Sequence, residues 1–237
     1  MRSRSRWIEL TYEAKFKAAS FRFATGPAVL LREWYEAISP RYSLSTQDLS
    51  VDPGRTVADV RAGASLFGGN VTFEVNAERF KGVFRNVFSE ADVQIVKDCL
   101  ALALTATTRA LEVEYAEEQI RLQTVATLLD DPTASQTFLQ NLFTKSSPLA
   151  SIDVPGVDTV IPGGEIELIS SREAWSFAYA IAKSVLRPEE VLINAHARYE
   201  LGSPYRDVDA QQDHFVKCLS AAFAACGLET STFADQS

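Results

Sequence analysis

The sequence predicts an α+β protein, internally duplicated, with β-α-β(3-4)-α halves joined in a mostly antiparallel sheet and long helices packed on one face. Three observations predict it. Apolar residues recur at every second position over 7–16 and 117–129, the period of half-buried strands. Two stretches carry apolar residues at helical spacing: Val93, Val96, Leu100, Ala103 and Leu104, then Phe215, Leu219, Ala222, Phe223 and Cys226. The order of elements over 7–111 repeats over 117–227.

In the first strand Ile8, Leu10, Tyr12, Ala14 and Phe16 face one way, and Glu9, Thr11, Glu13 and Lys15 the other. Arg2, Arg4 and Arg6 before it read as a solvated tail, with Ser20 to Phe23 continuing the strand or pairing beside it. Thr25-Gly26-Pro27 opens a helix carrying Leu30, Leu31, Trp34 and Ile38, which Pro40 stops. Strands follow near 42–51 and 56–67. Gly68-Gly69-Asn70 is a tight turn, and Val71, Phe73 and Val75 alternate before a strand at 81–88. Ser89-Glu90-Ala91-Asp92 is a capping box for a helix running to about 110.

After the 117–129 strand, Asp131-Pro132 opens a helix with Phe138, Leu139, Leu142 and Phe143 on its buried stripe. The Pro- and Gly-bearing residues 148–164 read as a loop, followed by strands near 165–170, 174–186 and 190–200. Asp209 to Gln212 caps the last helix, and Gly227 stands where a left-handed terminator is wanted. The last ten residues read as frayed.

The boundary between halves falls at 113/114, giving repeats 1–113 and 114–237 that form one pseudo-symmetric unit. Val75-Asn76-Ala77 precedes Val96-Lys97-Asp98-Cys99-Leu100, as Ile193-Asn194-Ala195 precedes Val216-Lys217-Cys218-Leu219. The element order of each half resembles that of the TATA-binding protein repeat and of a helix-grip fold. That resemblance implies a saddle or a helix gripped by a curved sheet. It is one of topology, without signature residues, and carries no function.

Composition narrows function. Lys plus Arg number 23 and Asp plus Glu 31, so 23 − 31 gives a formal charge of −8, which opposes electrostatic capture of nucleic acid. No apolar run reaches about 18 residues, so no membrane span is expected. Glu9 and Glu13 follow the three arginines too closely for a signal peptide. Cys99, Cys218 and Cys226 lie in helical patterns and read as reduced core thiols of a cytoplasmic protein.

No metal, cofactor or catalytic residue is assigned. His196 and His214 stand 18 positions apart with no HxH or HExxH spacing. His214 and Cys218, four apart, share a helix face but offer only two ligands. Cys99 and Cys218 occupy core-like positions, where a thiol is inert. Gly68-Gly69 and Pro162-Gly163-Gly164-Glu165 precede no helix and no GK[ST], so neither cradles phosphate. Glu112, Glu114, Glu117 and Glu118 form a solvated connector between the halves.

Two surfaces are candidates. Trp175, Phe177, Tyr179, His196, Arg198 and Tyr199 form a ligand or partner surface if no helix covers them. Arg55, Arg61, Arg79, Lys81 and Arg85, near Phe80, Phe84 and Phe88, form a basic face. The expected function is a non-enzymatic protein-interaction or adaptor subunit of a larger prokaryotic-type assembly. It would use an open sheet face or edge, with a protein partner or self-association. The alternative is a helix-grip-like small-ligand protein or enzyme, with an apolar cavity lined by Tyr179, His196, Arg198 and Tyr199. A third reading is nucleic-acid contact through the basic face.

Overall fold

Alternation of apolar and polar residues builds most of this chain into strands. The computed structural model describes residues 2–87, 89–129, 159–161, 165–183, 187 and 189–232. The expected helix at Asp131-Pro132, the Gly163-Gly164 turn and Phe88 lie outside the described residues, as do the residues after Thr232.

The elements are β1 (Arg2–Phe16), α1 (Phe21–Thr25), α2 (Pro27–Ile38), β2 (Leu49–Asp52), β3 (Arg61–Leu66), β4 (Val71–Val75) and β5 (Arg79–Val87). They continue with α3 (Glu90–Leu111), β6 (Tyr115–Leu128), β7 (Thr159–Ile161), β8 (Glu165–Ser170), β9 (Trp175–Lys183), β10 (Glu190–Glu200), α4 (Val208–Ala225) and β11 (Glu229–Thr232). The protein is α+β, with a large, mostly antiparallel sheet and few helices.

Two compact units divide these elements. One comprises Thr11–Arg85 and Ala91–Gln119; the other comprises Met1–Leu10, Asn86–Glu90 and Ile120–Ser237. In the first, β2, β3, β4 and β5 are consecutive antiparallel neighbours. Ala62 faces Val75, Ala64 faces Phe73 and Leu66 faces Val71; Val71 then faces Phe84 and Val75 faces Phe80. All of these are buried, and the two alanines of β3 make room for Val75 and Phe73 of β4. Gly82 faces Phe73; a Cβ there would lie 3.3 Å from the Phe84 ring and 3.4 Å from Leu100 and Phe73. The glycine makes room for the aromatic layer. Trp34 of α2 meets Phe73 and Phe80 edge-on or tilted, and its indole N–H donates to Ala103 O (3.2 Å) and Thr107 Oγ1 (3.0 Å) of α3.

In the second unit the order is β6, β10, β9, β8, β7, with β11 parallel to β1. The β9–β10 register sets Ala195 opposite Tyr179, Ala197 opposite Phe177 and Tyr199 opposite Trp175. All six are buried. Phe215, Cys218, Leu219, Ala222 and Phe223 of α4 are buried with them. Asp207 caps α4 by accepting from Ala210 N (2.7 Å). Gly227 (φ +70) ends it, with Gly227 N–H donating to Ala224 O and Leu228 N–H to Phe223 O.

Several local expectations are corrected. Residues 2–6 are strand, because they pair with β11: Arg2 with Glu229 through Ser5 with Thr232. Within the last ten residues, Glu229–Thr232 are accordingly strand. Burial along β1 also changes phase, from Ser3, Ser5 and Trp7 to Leu10, Tyr12, Ala14 and Phe16. Ser20 to Phe23 opens α1, not a strand, because Ser20 Oγ accepts from Phe23 N. Thr25 spends its hydroxyl on carbonyls inside α1, so α2 starts from Gly26 and Pro27. Part of the expected 148–164 loop is β7, where Thr159 pairs with Ile169.

Glu112 to Glu118 is not a bare connector. Glu112 pairs with Arg22, Glu114 with Lys17 (3.0 Å), Glu117 with Gln119, and Glu118 accepts from Tyr12. The two asparagines of the repeat match do different work. Asn76 Oδ1 accepts from Glu78 N and Arg79 N in the β4–β5 turn, whereas Asn194 sits mid-strand opposite Ala180. The residue match therefore does not establish the duplication.

Candidate functional site

The sheet separates the first candidate constellation by strand parity. Trp175, Phe177, Tyr179 and Tyr199 point to the face covered by α4, where Phe177 meets Phe215 at 5.6 Å and Tyr179 Oη lies 3.0 Å from Cys226 Sγ. His196 and Arg198 are the intervening residues of β10. They point to the opposite face, where Arg198 is exposed and pairs with Glu200 at 3.4 Å. The six residues therefore line neither one surface nor one cavity.

Sequence spacing suggested His214 with Cys218, and the structure joins them in a buried aromatic box. Cys218 Sγ lies 3.6 Å from His214 Nε2, and Tyr199 Oη lies 3.2 Å from His214 Nδ1. The ring stacks on Tyr205 at 4.0 Å and meets Trp175 edge-on at 4.5 Å. Tyr199 donates to Gln211 O at 3.0 Å. With that proton committed, Nδ1–H donates to Tyr199 and Nε2 faces the Cys218 thiol. Burial pushes His214 down to about 4, opposed by Glu173 and aided by Lys217. Burial pushes Cys218 up to about 12. The pair is thus a neutral imidazole beside a neutral thiol, the reverse of an activated nucleophile.

The other thiols follow the same rule. Burial raises Cys99 to about 12 and Cys226 to about 11. All three cysteines are buried and unpaired with one another. Among the described residues, no group of three or more His, Cys, Asp or Glu could hold a metal ion. No helix of the described residues is long and apolar enough to cross a membrane.

The second candidate face lies on the solvent side of β3 to β5. Register puts Arg61, Glu74, Lys81, Arg79 and Arg85 there, opposite the buried set. Basic groups alternate with acidic ones: Arg61 pairs with Glu74 at 3.1 Å, Arg79 with Glu13 at 3.0 Å, and Lys81 lies directly across from Glu74. Arg85 donates to Gly69 O at 3.5 Å. The face is a mixed-charge lattice.

On this face β2, β3, β4 and residues 53–60 enclose an open cleft of about 680 Å³. Its floor is small and polar. Ser50 faces Gly63, whose missing Cβ would stand 2.9 Å from Ser50 Oγ, and Gly63 in turn faces Glu74. Arg55 and Arg61 line it, and so do Asp52 and Asp59. The segment is held in shape by its own carboxylates. Asp52 Oδ1 accepts from Gly54 N (3.0 Å), and Asp59 Oδ2 accepts from Thr56 N (3.1 Å) and Thr56 Oγ1 (2.8 Å). Gly54 has φ +60 and a Cβ there would strike Asp59 at 2.6 Å, so the turn requires glycine. Sequence reading found Arg55 and Arg61 but missed Ser50, Asp52, Asp59, Gly63 and Glu74. The Thr56-x-x-Asp59 box spacing was the available signal.

No family model matches the chain, and no curated protein matches its sequence. Among solved structures, it is similar to a rolling circle replication initiator protein from Geobacillus stearothermophilus. The identity is 7%, over 94% of this chain and 85% of that one, with a TM-score of 0.31. It is similar also to the di-domain ARO/CYC BexL, at 11% identity over 92% and 96% of the two chains and a TM-score of 0.28. Likeness at this level carries no argument about activity.

Proposed function

We propose that the chain is a non-enzymatic interaction subunit of a larger assembly that receives a protein partner in the cleft over β2, β3 and β4. The observation that supports this most is the contrast in placement. The thiols and His214 are held uncharged inside the core, while a roomy polar cleft with both signs of charge faces solvent. A floor of Ser50 and Gly63 suits close approach of an extended backbone, and Arg55, Asp52 and Asp59 suit a partner presenting both charges. Docking on the face is favoured over strand addition at the edge. β2 has only four residues, ends in Asp52-Pro53, and so is a blunted edge. In the same reading, residues 1–113 and 114–237 derive from one duplicated α+β unit, each placing a buried cysteine on its long helix.

The test is light scattering on the purified chain with the products of its neighbouring genes, and a Gly63→Leu variant that fills the cleft floor. A complex that forms with the parent chain and is weakened at least about tenfold by Gly63→Leu supports the reading. A complex indifferent to Gly63→Leu and to Arg55→Glu removes the cleft from it.

A further inference from the structure

The segment 201–207, which links β10 to α4, closes the box around His214. Tyr205 is the only half-exposed member of that box; Trp175, Tyr199 and Cys218 are buried. Asp207 stays fixed to α4, accepting from Ala210 N (2.7 Å) and Gln211 N (3.0 Å); ahead of it the bonds are Ser203 N–H to Glu200 O (3.0 Å), Tyr205 N–H to Ser203 Oγ (3.3 Å), and Gln211 Nε2 to Tyr205 O (3.1 Å). Gly202, at φ +104 with nothing within 4 Å of a Cβ position, is an unobstructed pivot. Behind Tyr205 the imidazole lies edge-on against the buried Trp175 ring, and Glu173 stands close enough to favour its charged form.

We propose that the segment 201–207, hinged at Asp207 on α4, is an acid-released latch: protonation of His214 detaches the Tyr205 ring, and the segment swings open to hydrate the imidazolium and uncover Trp175. The groups facing His214 are Glu173 from the turn before β9, Tyr199 from β10, Tyr205 from the segment, and Lys217 and Cys218 from α4. Lys217 opposes a charge there, and Tyr199, Tyr205 and Cys218 are neutral. Only Glu173, already hydrogen bonded to the Trp175 indole at 2.9 Å, can answer an imidazolium. An imidazolium also loses its acceptor nitrogen, so the Cys218 S–H contact inverts into a weak one. Tyr205 is the half-exposed ring stacked on the imidazole, so opening past it admits water. With the closed ring titrating at about 4 and the open ring at the ordinary 6.5, going from about pH 7 to about pH 4.5 favours the open form roughly fifty-fold.

Hydrogen exchange on the full chain, corrected for intrinsic rates, tests this. Residues 201–207 should open roughly fifty-fold more at about pH 4.5 than at about pH 7, while α3 keeps its protection. His214→Phe should abolish the rise. Unchanged protection at 201–207, an equal rise in His214→Phe, or simultaneous loss in α3 overturns the latch. If His214→Phe does not fold, the His214 ring is followed by NMR in Tyr205→Ala. A midpoint moving from about 4 toward 6.5 supports the latch, and a fixed midpoint refutes it.

Discussion

The two units solve the same packing problem with different chemistry. In one, the buried aromatic layer of Trp34, Phe73, Phe80 and Phe84 carries one polar tip, the Trp34 indole, which α3 satisfies, and Tyr12, edge-on to Phe80, donates its hydroxyl to Glu118. In the other, the layer between the sheet and α4 holds Trp175, Tyr179 and Tyr199 of the strands and His214 of α4, four side chains with polar atoms to satisfy. An apolar layer gains by excluding water and answers only to shape. A layer that buries a histidine also answers to pH in the acid range, because burial holds the imidazole in its neutral form. The difference teaches where sensitivity to conditions resides in this chain.

The comparison can be broken most strongly at Trp34. Trp34→Ala removes a fully buried ring and two hydrogen bonds, and should cost about 3–5 kcal/mol by urea unfolding. A loss under about 1 kcal/mol would show that the layer is not tightly packed.

Acid should act on the other unit. His214 titrates at about 4 when folded and 6.5 when exposed, so the unfolded chain takes up the proton first as pH falls. This contribution is fully present above about pH 6.5 and is lost as pH drops toward 4. The total is roughly 3 kcal/mol, measurable as urea stability against pH in the parent chain and in His214→Phe. Equal slopes in the two proteins would assign the acid sensitivity elsewhere.

Gly82→Val sharpens the shape argument. Its side chain enters the space shared by Phe73, Phe84 and Leu100, and should destabilise by about 1–3 kcal/mol without altering pH dependence. The smallest effect is expected at Arg61→Ala. It breaks a half-exposed pair with Glu74, and denaturation midpoints should shift by less than about 0.5 kcal/mol. A larger shift would mean that the cleft wall is structural.

What local pattern could reveal was settled by period. Strands at 7–16, 117–129, 165–170 and 190–200 and the helix ending near 110 follow from alternation or helical spacing that tertiary contacts reinforce. The shared face of Trp175, Phe177 and Tyr179 follows from the same period of two. α1 was hidden because five residues with two phenylalanines carry no periodic signal; only the Ser20 cap marks it. β1 before Trp7 was hidden because its partner, Glu229–Thr232, lies at the far end of the chain. The cleft was hidden for the same reason. Ser50, Gly63 and Glu74 become neighbours only through two strand registers, and nothing in the spacing 50, 63, 74 announces that row. His214 and Cys218 were found together because four residues on a helix suffice to join them, but Tyr205 and Trp175 needed the fold.

The most direct test of the outward-facing cleft as the working surface is site-specific photocrosslinking in living cells. A benzophenone side chain replacing Arg55 should give one discrete adduct that Gly63→Leu abolishes, and the same group replacing Arg198 on β10 should give none. An adduct from the Arg198 position, with none from Arg55, would contradict it.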